Sequence, residues 1–250
     1  MHEIADLADR MMRDGVGQEL EIQSKSQPSD LVTRVDREIE AAARALVHDA
    51  LPGYGFLGEE AGGEASRSGW LWVVDPLDGT VNYANGLQHS AVSVGLCHDG
   101  EVVAGLISDP FRGERFLTTG DGPPTHNGRA VGLWPKPDFS GGVVLLEMGG
   151  KVDPPSPALA LFSRVRQAGG VCRVMGSAAL SLAYVASGRA AATMMLRVNS
   201  WDVAAGVALV SAAGGVAMRA WDGTPYDVLE AGPLIAGSVE AVALLRGLLA

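Results

Sequence analysis

Cysteine is scarce in this chain: Cys97 and Cys172 are the only two in 250 residues, far apart and in no C-x-x-C or zinc-like spacing. That excludes a disulfide framework and a cysteine-built metal centre, and leaves two reduced thiols as the expectation. Basic residues are also few, 19 Lys and Arg against 29 Asp and Glu, and no Lys/Arg block breaks the formal net charge of −10. Such a surface repels a phosphate backbone, so no nucleic-acid partner is expected. No uninterrupted apolar run approaches the about 20 residues of a spanning helix, and the opening MHEIADLADRMM is acidic and amphipathic rather than a basic-then-apolar leader. A cytoplasmic protein with no membrane contact is the expectation. What is present, 47% hydrophobic and 19% charged residues, is ordinary for a chain that buries a substantial core. No repeat or low-complexity segment interrupts it. Residues 1–250 are expected to form a single domain of two closely packed lobes, with their boundary near 134–142.

The stretch WLWVVDPLDGTVNYANG, Trp70 to Gly86, organises the rest. Trp70, Leu71, Trp72, Val73 and Val74 read as a strand buried on both faces, because a short continuous apolar run that stops at turn residues fits a covered strand. Pro76 cannot continue a central strand, so the chain is expected to bend there and turn Asp75, Asp78 and the Leu77 carbonyl toward one point. Hard oxygens converging in this way suit Mg²⁺. If a helix begins at Gly79 and Thr80, their backbone N–H groups offer a seat for an anion such as phosphate. The same residues are also good turn chemistry, and this stretch alone leaves both readings open.

In chain order, Ile4, Leu7, Ala8, Met11 and Met12 mark an amphipathic helix ending near Gly15 or Gly17, and Val35, Ile39, Ala42, Leu46 and Val47 mark a second. Thr33 and Asp36 have the spacing of a capping box, so Asp36 has an adequate structural role beside a catalytic one. YGFLGEEAGGEA is a short strand candidate ending at Glu59 and Glu60. Ala91 to Cys97 and Val102 to Ile107 predict a hairpin with Asp99-Gly100 at its tip. Phe116 to Thr118 and Ala130 to Leu133 extend this into an antiparallel meander. The second half alternates: strand Val143 to Leu146, helix Ala158 to Ala168, strand Val171 to Val174, helix from Gly176-Ser177 to Ser187, strand Ala190 to Leu196. A helix at WDVAAGVALVSAAGG follows, apolar on every side and therefore buried; then come short strands at Val216 to Met218 and Leu234 to Ala236, and a final helix from Val239 to Leu249.

Three acidic spots close apolar elements: Glu59, the pair Asp75 and Asp78, and Asp202. Burying four carboxylates together is prohibitive without counter-charge, so their convergence requires metal ions. GEE at 58–60, WVVDPLDGTVNY at 72–83 and WDVAAG at 201–206 resemble, in order and spacing, the three signatures of the inositol monophosphatase family of Mg²⁺-dependent, lithium-sensitive phosphatases. KSQPSDLVTRVD at 25–36 and RVMGSAA at 173–179 are similar to further family segments. The resemblance implies an α/β (α+β) fold, a five-layer αβαβα sandwich of the sugar phosphatase type, commonly a homodimer. It implies two or three Mg²⁺ ions held by Glu59, Asp75, Asp78, Asp202 and the Leu77 carbonyl. By the same resemblance Glu59, Thr80 and Asp36 are catalytic, with Asp36 and Thr80 as a water-orienting couple. A small phosphorylated substrate would be bound by Asp78, Gly79, Thr80, Gly176, Ser177, Ala178 and Asp202. Glu60 would support the ligands rather than bind metal, and Lys25 and Asp30 match a mobile segment near the weaker metal position. An aspartyl-phosphate mechanism fits less well, since it calls for Asp-x-Asp and the spacing here is Asp-x-x-Asp.

Two positions depart from the family pattern. Inositol-binding members place an acid about seven residues before the Asp of WD, and a serine after the strand at 143–146; here those positions are Met195 and Gly150. Arg197 stands two residues beyond the first, either as a surface arginine or as a charge for an anionic leaving group. The expected reaction is Mg²⁺-dependent hydrolysis of a phosphate monoester, inositol-1-phosphatase-like. Histidinol phosphate, fructose 1,6-bisphosphate or a nucleotide bisphosphate are alternative substrates, and a regulatory protein binding the transcription machinery is the alternative of another class.

Overall fold

The computed structural model describes residues 1–25, 28, 30–63, 65–148 and 157–249. The two amphipathic patterns near the N-terminus form α1 (His2–Gly15) and α2 (Arg34–Ala50), joined through a short antiparallel pair, β1 (Gln23–Ser24) and β2 (Leu31–Val32). Each helix buries one stripe, Ile4, Ala8 and Met12 from the first and Val35, Ile39, Ala43 and Val47 from the second. These stripes pack on Trp72, Val74, Val92, Val94 and Leu106 of a seven-stranded sheet.

That sheet runs in sequence order: β3 (Gly55–Gly58), β4 (Trp70–Asp78), β5 (Ala91–His98), β6 (Glu101–Asp109), β7 (Glu114–Thr118), β8 (Thr125–His126) and β9 (Arg129–Ala130). β3 and β4 are parallel and the rest form the expected meander. The hairpin tip is where the dipeptide signal put it, with Asp99 at φ +50° and Gly100 at φ +87°, as a two-residue primed turn requires. The five-residue helix α3 (Thr80–Ala84) leaves β4 at its end.

Beyond the first sheet come β10 (Val143–Glu147), α4 (Pro157–Gln167), β11 (Val171–Arg173), α5 (Ala178–Ala186) and β12 (Ala192–Met195). α6 (Ser200–Ala212), β13 (Val216–Arg219), β14 (Leu234–Gly237) and α7 (Val239–Gly247) complete the order. Their strands make a second sheet in the order β11-β10-β12-β14-β13, parallel across the first three and antiparallel at β14 and β13. α5 and α6 lie between the sheets, touching Leu71, Val73 and Ile107 of the first and Leu145, Met195 and Leu234 of the second. α4 and α7 cover the outer face with Leu161, Val165, Val242 and Leu245. The result is the five-layer αβαβα sandwich expected. It explains why α6 has no polar stripe, since both its sides are interior.

Three local expectations are corrected. Trp70 is 37% exposed, because it opens β4 at the sheet's rim, where it meets the Tyr54 and His98 rings. Pro76 does not end the strand: β4 continues to Asp78 against β5, and a register shift between Asp75 and Asp78 absorbs the proline, whose missing N–H a bulge tolerates. Of the expected strand Ala130 to Leu133 only Ala130 is in a strand, as the last residue of β9.

α6 comes unusually close to the first sheet through a two-glycine window. Gly95 and Gly105 face each other across β5 and β6, and a Cβ on Gly105 would stand 2.8 Å from the Ala205 Cα and nearer still to its carbonyl oxygen. Because backbone cannot swing aside as a side chain can, Gly105→Ala is expected to cost about 1–3 kcal/mol or more through overpacking. Urea denaturation of the variant against the wild type measures it, and a loss under about 0.5 kcal/mol would show that α6 can shift.

Candidate active site

The expected acids meet at one end of the sandwich. Asp75 and Asp78 are 1% and 7% exposed at the end of β4, Glu59 follows β3, and Asp202 lies in the first turn of α6. Burial and the charges of Glu59, Asp78 and Asp202 push the Asp75 carboxyl well above its ordinary pKa. Burial raises Asp202 likewise, with Glu59 and Asp78 adding to it. Glu59 is raised by burial against the opposing pull of Lys25. Asp78 is pushed up to about 7 by burial, opposed by its hydrogen bonds.

Each acid is engaged locally. Asp78 sits over the N-terminus of α5, accepting from the Ser177 hydroxyl and from the N–H groups of Ala178 (3.2 Å) and Ala179 (3.0 Å). Asp75 accepts from the Leu77 N–H at 3.0 Å and Asp202 from the Asn199 N–H at 2.6 Å. Lys25 Nζ lies 2.8 Å from Glu59 and 2.6 Å from Glu60. Burial works against its charge, but the two glutamates outweigh burial and hold its ammonium above the ordinary value. Glu60 thus supports Lys25, while the Lys25 N–H donates to the Asp30 carbonyl at 2.8 Å. Among the described residues no group of three or more His, Cys, Asp or Glu side chains is arranged to hold a metal ion. The donor chemistry nonetheless fits one: all-oxygen, hard and anionic, with neighbouring carboxylates raising the pKa of Asp75 and Asp202.

Beside the acids stands the Thr80 hydroxyl, 3.1 Å from Asp36 Oδ1 and 3.0 Å from the Leu77 carbonyl oxygen. The two readings of Asp36 prove compatible, because it has two oxygens. Oδ2 closes the capping box, accepting from the Thr33 N–H at 3.0 Å, while Oδ1 faces Thr80. Asp36 is fully buried, and burial raises its pKa to about 6 against the lowering effect of the Thr33 hydrogen bonds. Gly79 caps α3 at φ +86°, a conformation that favours glycine, and a Cβ there would come within 3.1 Å of the carbonyl oxygens of His89 and Gly176. The amides that open α3 have no acceptor within the helix.

Two buried acids of the site escaped the sequence reading. Glu40, 1% exposed on α2, accepts from the N–H groups of Glu60 (2.6 Å) and Ala61 (2.9 Å), and so holds the turn that carries Glu59. Glu147, 7% exposed at the end of β10, accepts from Met175 and Gly176. The signal for Glu147 was available, since VVLLE ends an apolar run in an acid just as Glu59 and Asp75 do. On the alcohol side, Met195 is fully buried within the interlayer core, so this position supplies packing rather than a polyol contact. Gly150 lies outside the described residues. Arg197 is exposed in the loop between β12 and α6.

The model of the inositol monophosphatase family matches residues 2–248. An inositol-1-monophosphatase of Mesorhizobium japonicum is 37% identical over 227 residues, covering 90% of this chain and 84% of that protein. The Nus factor SuhB of Pseudomonas aeruginosa is 36% identical over 220 residues, covering 84% and 79%. Among solved structures, the extragenic suppressor protein suhB of Bartonella henselae superposes with a TM-score of 0.91 at 31% identity, covering all of this chain and 96% of that one.

Proposed function

The chain belongs to the inositol monophosphatase family, and on that premise we propose that it hydrolyses a small phosphate monoester with the help of Mg²⁺. The observation that supports this best is the meeting of Glu59, Asp75, Asp78 and Asp202 with Lys25 as their near cation and the Asp36–Thr80 pair alongside. The four carboxylates and the Leu77 carbonyl are the residues that would hold Mg²⁺. Bound there, the metal supplies positive charge against the phosphate dianion and lowers the pKa of water.

The chain's own groups do the rest. The amides at Gly79 and Thr80 seat the phosphate oxygens. Thr80 has one hydroxyl hydrogen and two acceptors within reach; once the Leu77 carbonyl is engaged elsewhere, that hydrogen goes to Asp36. The threonine lone pairs then accept from a water aligned on phosphorus. Attack breaks the P–O bond to the alcohol and releases inorganic phosphate, with no protein nucleophile. A homodimer in the cytoplasm is part of the same proposal, and none of the described helices is long and apolar enough to cross a membrane.

The alcohol is read less narrowly. With packing at Met195, nothing at that position selects an inositol ring, so hydrolysis of several monoesters with a high KM for inositol 1-phosphate is expected. The test compares kcat/KM for inositol 1-phosphate, fructose 1,6-bisphosphate, histidinol phosphate and adenosine bisphosphate at saturating Mg²⁺. A preference for inositol 1-phosphate of about 10² or more would mean that other residues read the ring. The near-equal likeness to a Nus factor favours a regulatory role as the second reading, and a protein that turns over none of these esters would leave that reading standing.

A further inference from the structure

Glu147 ends β10 with a carboxylate that has no place in the reaction just proposed. Burying that charge without a cation costs several kcal/mol unless hydrogen bonds replace the lost water. Three do: Met175 N–H donates at 3.1 Å, Gly176 N–H at 2.9 Å and the Ser181 hydroxyl at 2.7 Å. Burial pushes the Glu147 pKa up, and those three bonds work against the rise.

The carbonyls of the same two loop residues are taken from the opposite side. Asn82 Nδ2, on α3, donates to the Met175 oxygen at 2.9 Å and the Gly176 oxygen at 3.3 Å. Two consecutive residues are therefore gripped by their N–H groups from the second sheet and by their carbonyls from the first lobe. Gly176 adopts φ +72° inside this grip. The next three residues, Ser177, Ala178 and Ala179, are the ones that donate to Asp78. Glu40 does the same for the other loop of the site, accepting from Glu60 and Ala61 beside Glu59.

We propose that Glu147 is a positioning residue: by clamping Met175 and Gly176 it sets the start of α5, and through it the orientation of the Asp78 carboxylate. This rests on the phosphatase reading of the site. An amide cannot replace the clamp, because Gln presents an acceptor to one loop N–H and a donor to the other. Loss of the clamp leaves Asp78 on a loose support, and a misplacement of about 1 Å at a reacting centre costs on the order of 10² in rate.

The experiment compares Glu147→Gln, Ser181→Ala and Asp78→Asn with the wild type by amide hydrogen exchange and by steady-state kinetics on one small phosphate ester. In Glu147→Gln, protection is expected to fall at least about 10-fold at Met175 and Gly176 and also at Ala178 and Ala179, since an opened clamp frees both pairs. kcat should fall at least about 10-fold with KM within about 3-fold, because Glu147 makes no contact with Gly79 and Thr80, whose amides seat the phosphate. Ser181→Ala, which removes only the helix-side bond, should lower the melting temperature yet keep loop protection and turnover. Protection lost at Met175 and Gly176 alone, or a folded Glu147→Gln with kcat within about 2-fold of wild type, overturns the proposal. Should Glu147→Gln not fold, Glu147→Asp keeps the charge, shortens the reach by one methylene and carries the same comparison. Near-normal turnover by Asp78→Asn would instead defeat the site reading itself, whatever Glu147 does.

Discussion

Asp75→Asn is expected to abolish turnover, by a factor on the order of 10³, while raising the melting temperature of the metal-free protein. Both effects follow from one arrangement, the buried Asp75 carboxyl crowded by the charges of Glu59, Asp78 and Asp202. Without metal a charge at Asp75 is disfavoured by burial and by its acidic neighbours, and an asparagine amide carries none. With metal the carboxylate charge is required, and the amide lacks it. The sign of the pH dependence can be worked out from the raised pKa values. Asp36 and Asp78 rise from 3.8 to about 6 and about 7, and Asp75 rises well above 3.8, so the folded state holds these protons more tightly than the unfolded chain. Their contribution to stability is complete below about pH 4 and is lost as pH rises through about 6 to 7. The metal-free wild type should therefore melt progressively lower from about pH 5 to 8, Mg²⁺ should flatten that decline, and Asp75→Asn should flatten it without Mg²⁺. Melting curves across this range with parallel assays decide the matter. An Asp75→Asn enzyme with near-normal activity, or one that melts below wild type at pH 8, contradicts the assignment.

Thr80→Ala should lower kcat by a factor on the order of 10², and Asp36→Asn by a similar factor, because each removes half of the pair that aligns water. The double variant should be scarcely worse than either single one, since groups acting as a unit are not additive. Stability separates the two substitutions. Asp36→Asn also disturbs the capping box at Thr33, expected to cost about 1 kcal/mol, whereas Thr80→Ala leaves it intact. Steady-state kinetics and urea midpoints on the three proteins test this together. Losses that multiply in the double variant would separate Asp36 from Thr80.

The sequence was most legible where function is local. Glu59, Asp75 and Asp78 close apolar elements within a few residues and Asp202 opens one, and α6 shows its burial by being apolar on every side. What escaped depends on distant partners. Thr33 and Asp36 reveal a cap from a spacing of three, but the second oxygen of Asp36 meets Thr80 44 residues later. Glu40 and Glu147 find their amides 20 to 29 residues away, in turns whose placement no local pattern carries. Pro76 misled in the opposite direction: a sound rule about central strands ended β4 early, because a bulge is invisible until the neighbouring strand's register is known. Met195 is a case of register too, its side chain turned by strand alternation into the interlayer core.

The middle helical layer has a consequence for how the chain is made. α1 and α2 precede the first sheet, so its outer face is covered as soon as it forms, and that sheet is complete at Ala130. The inner face, with Leu71, Val73, Cys97 and Ile107, waits for α6, which ends at Ala212. At a synthesis rate of roughly 5–20 residues per second, those further residues, about 80 of them, take on the order of ten seconds to leave the ribosome. During that interval the nascent chain presents a bare apolar sheet face with the Cys97 thiol in it, guarded on one side and open to self-association on the other.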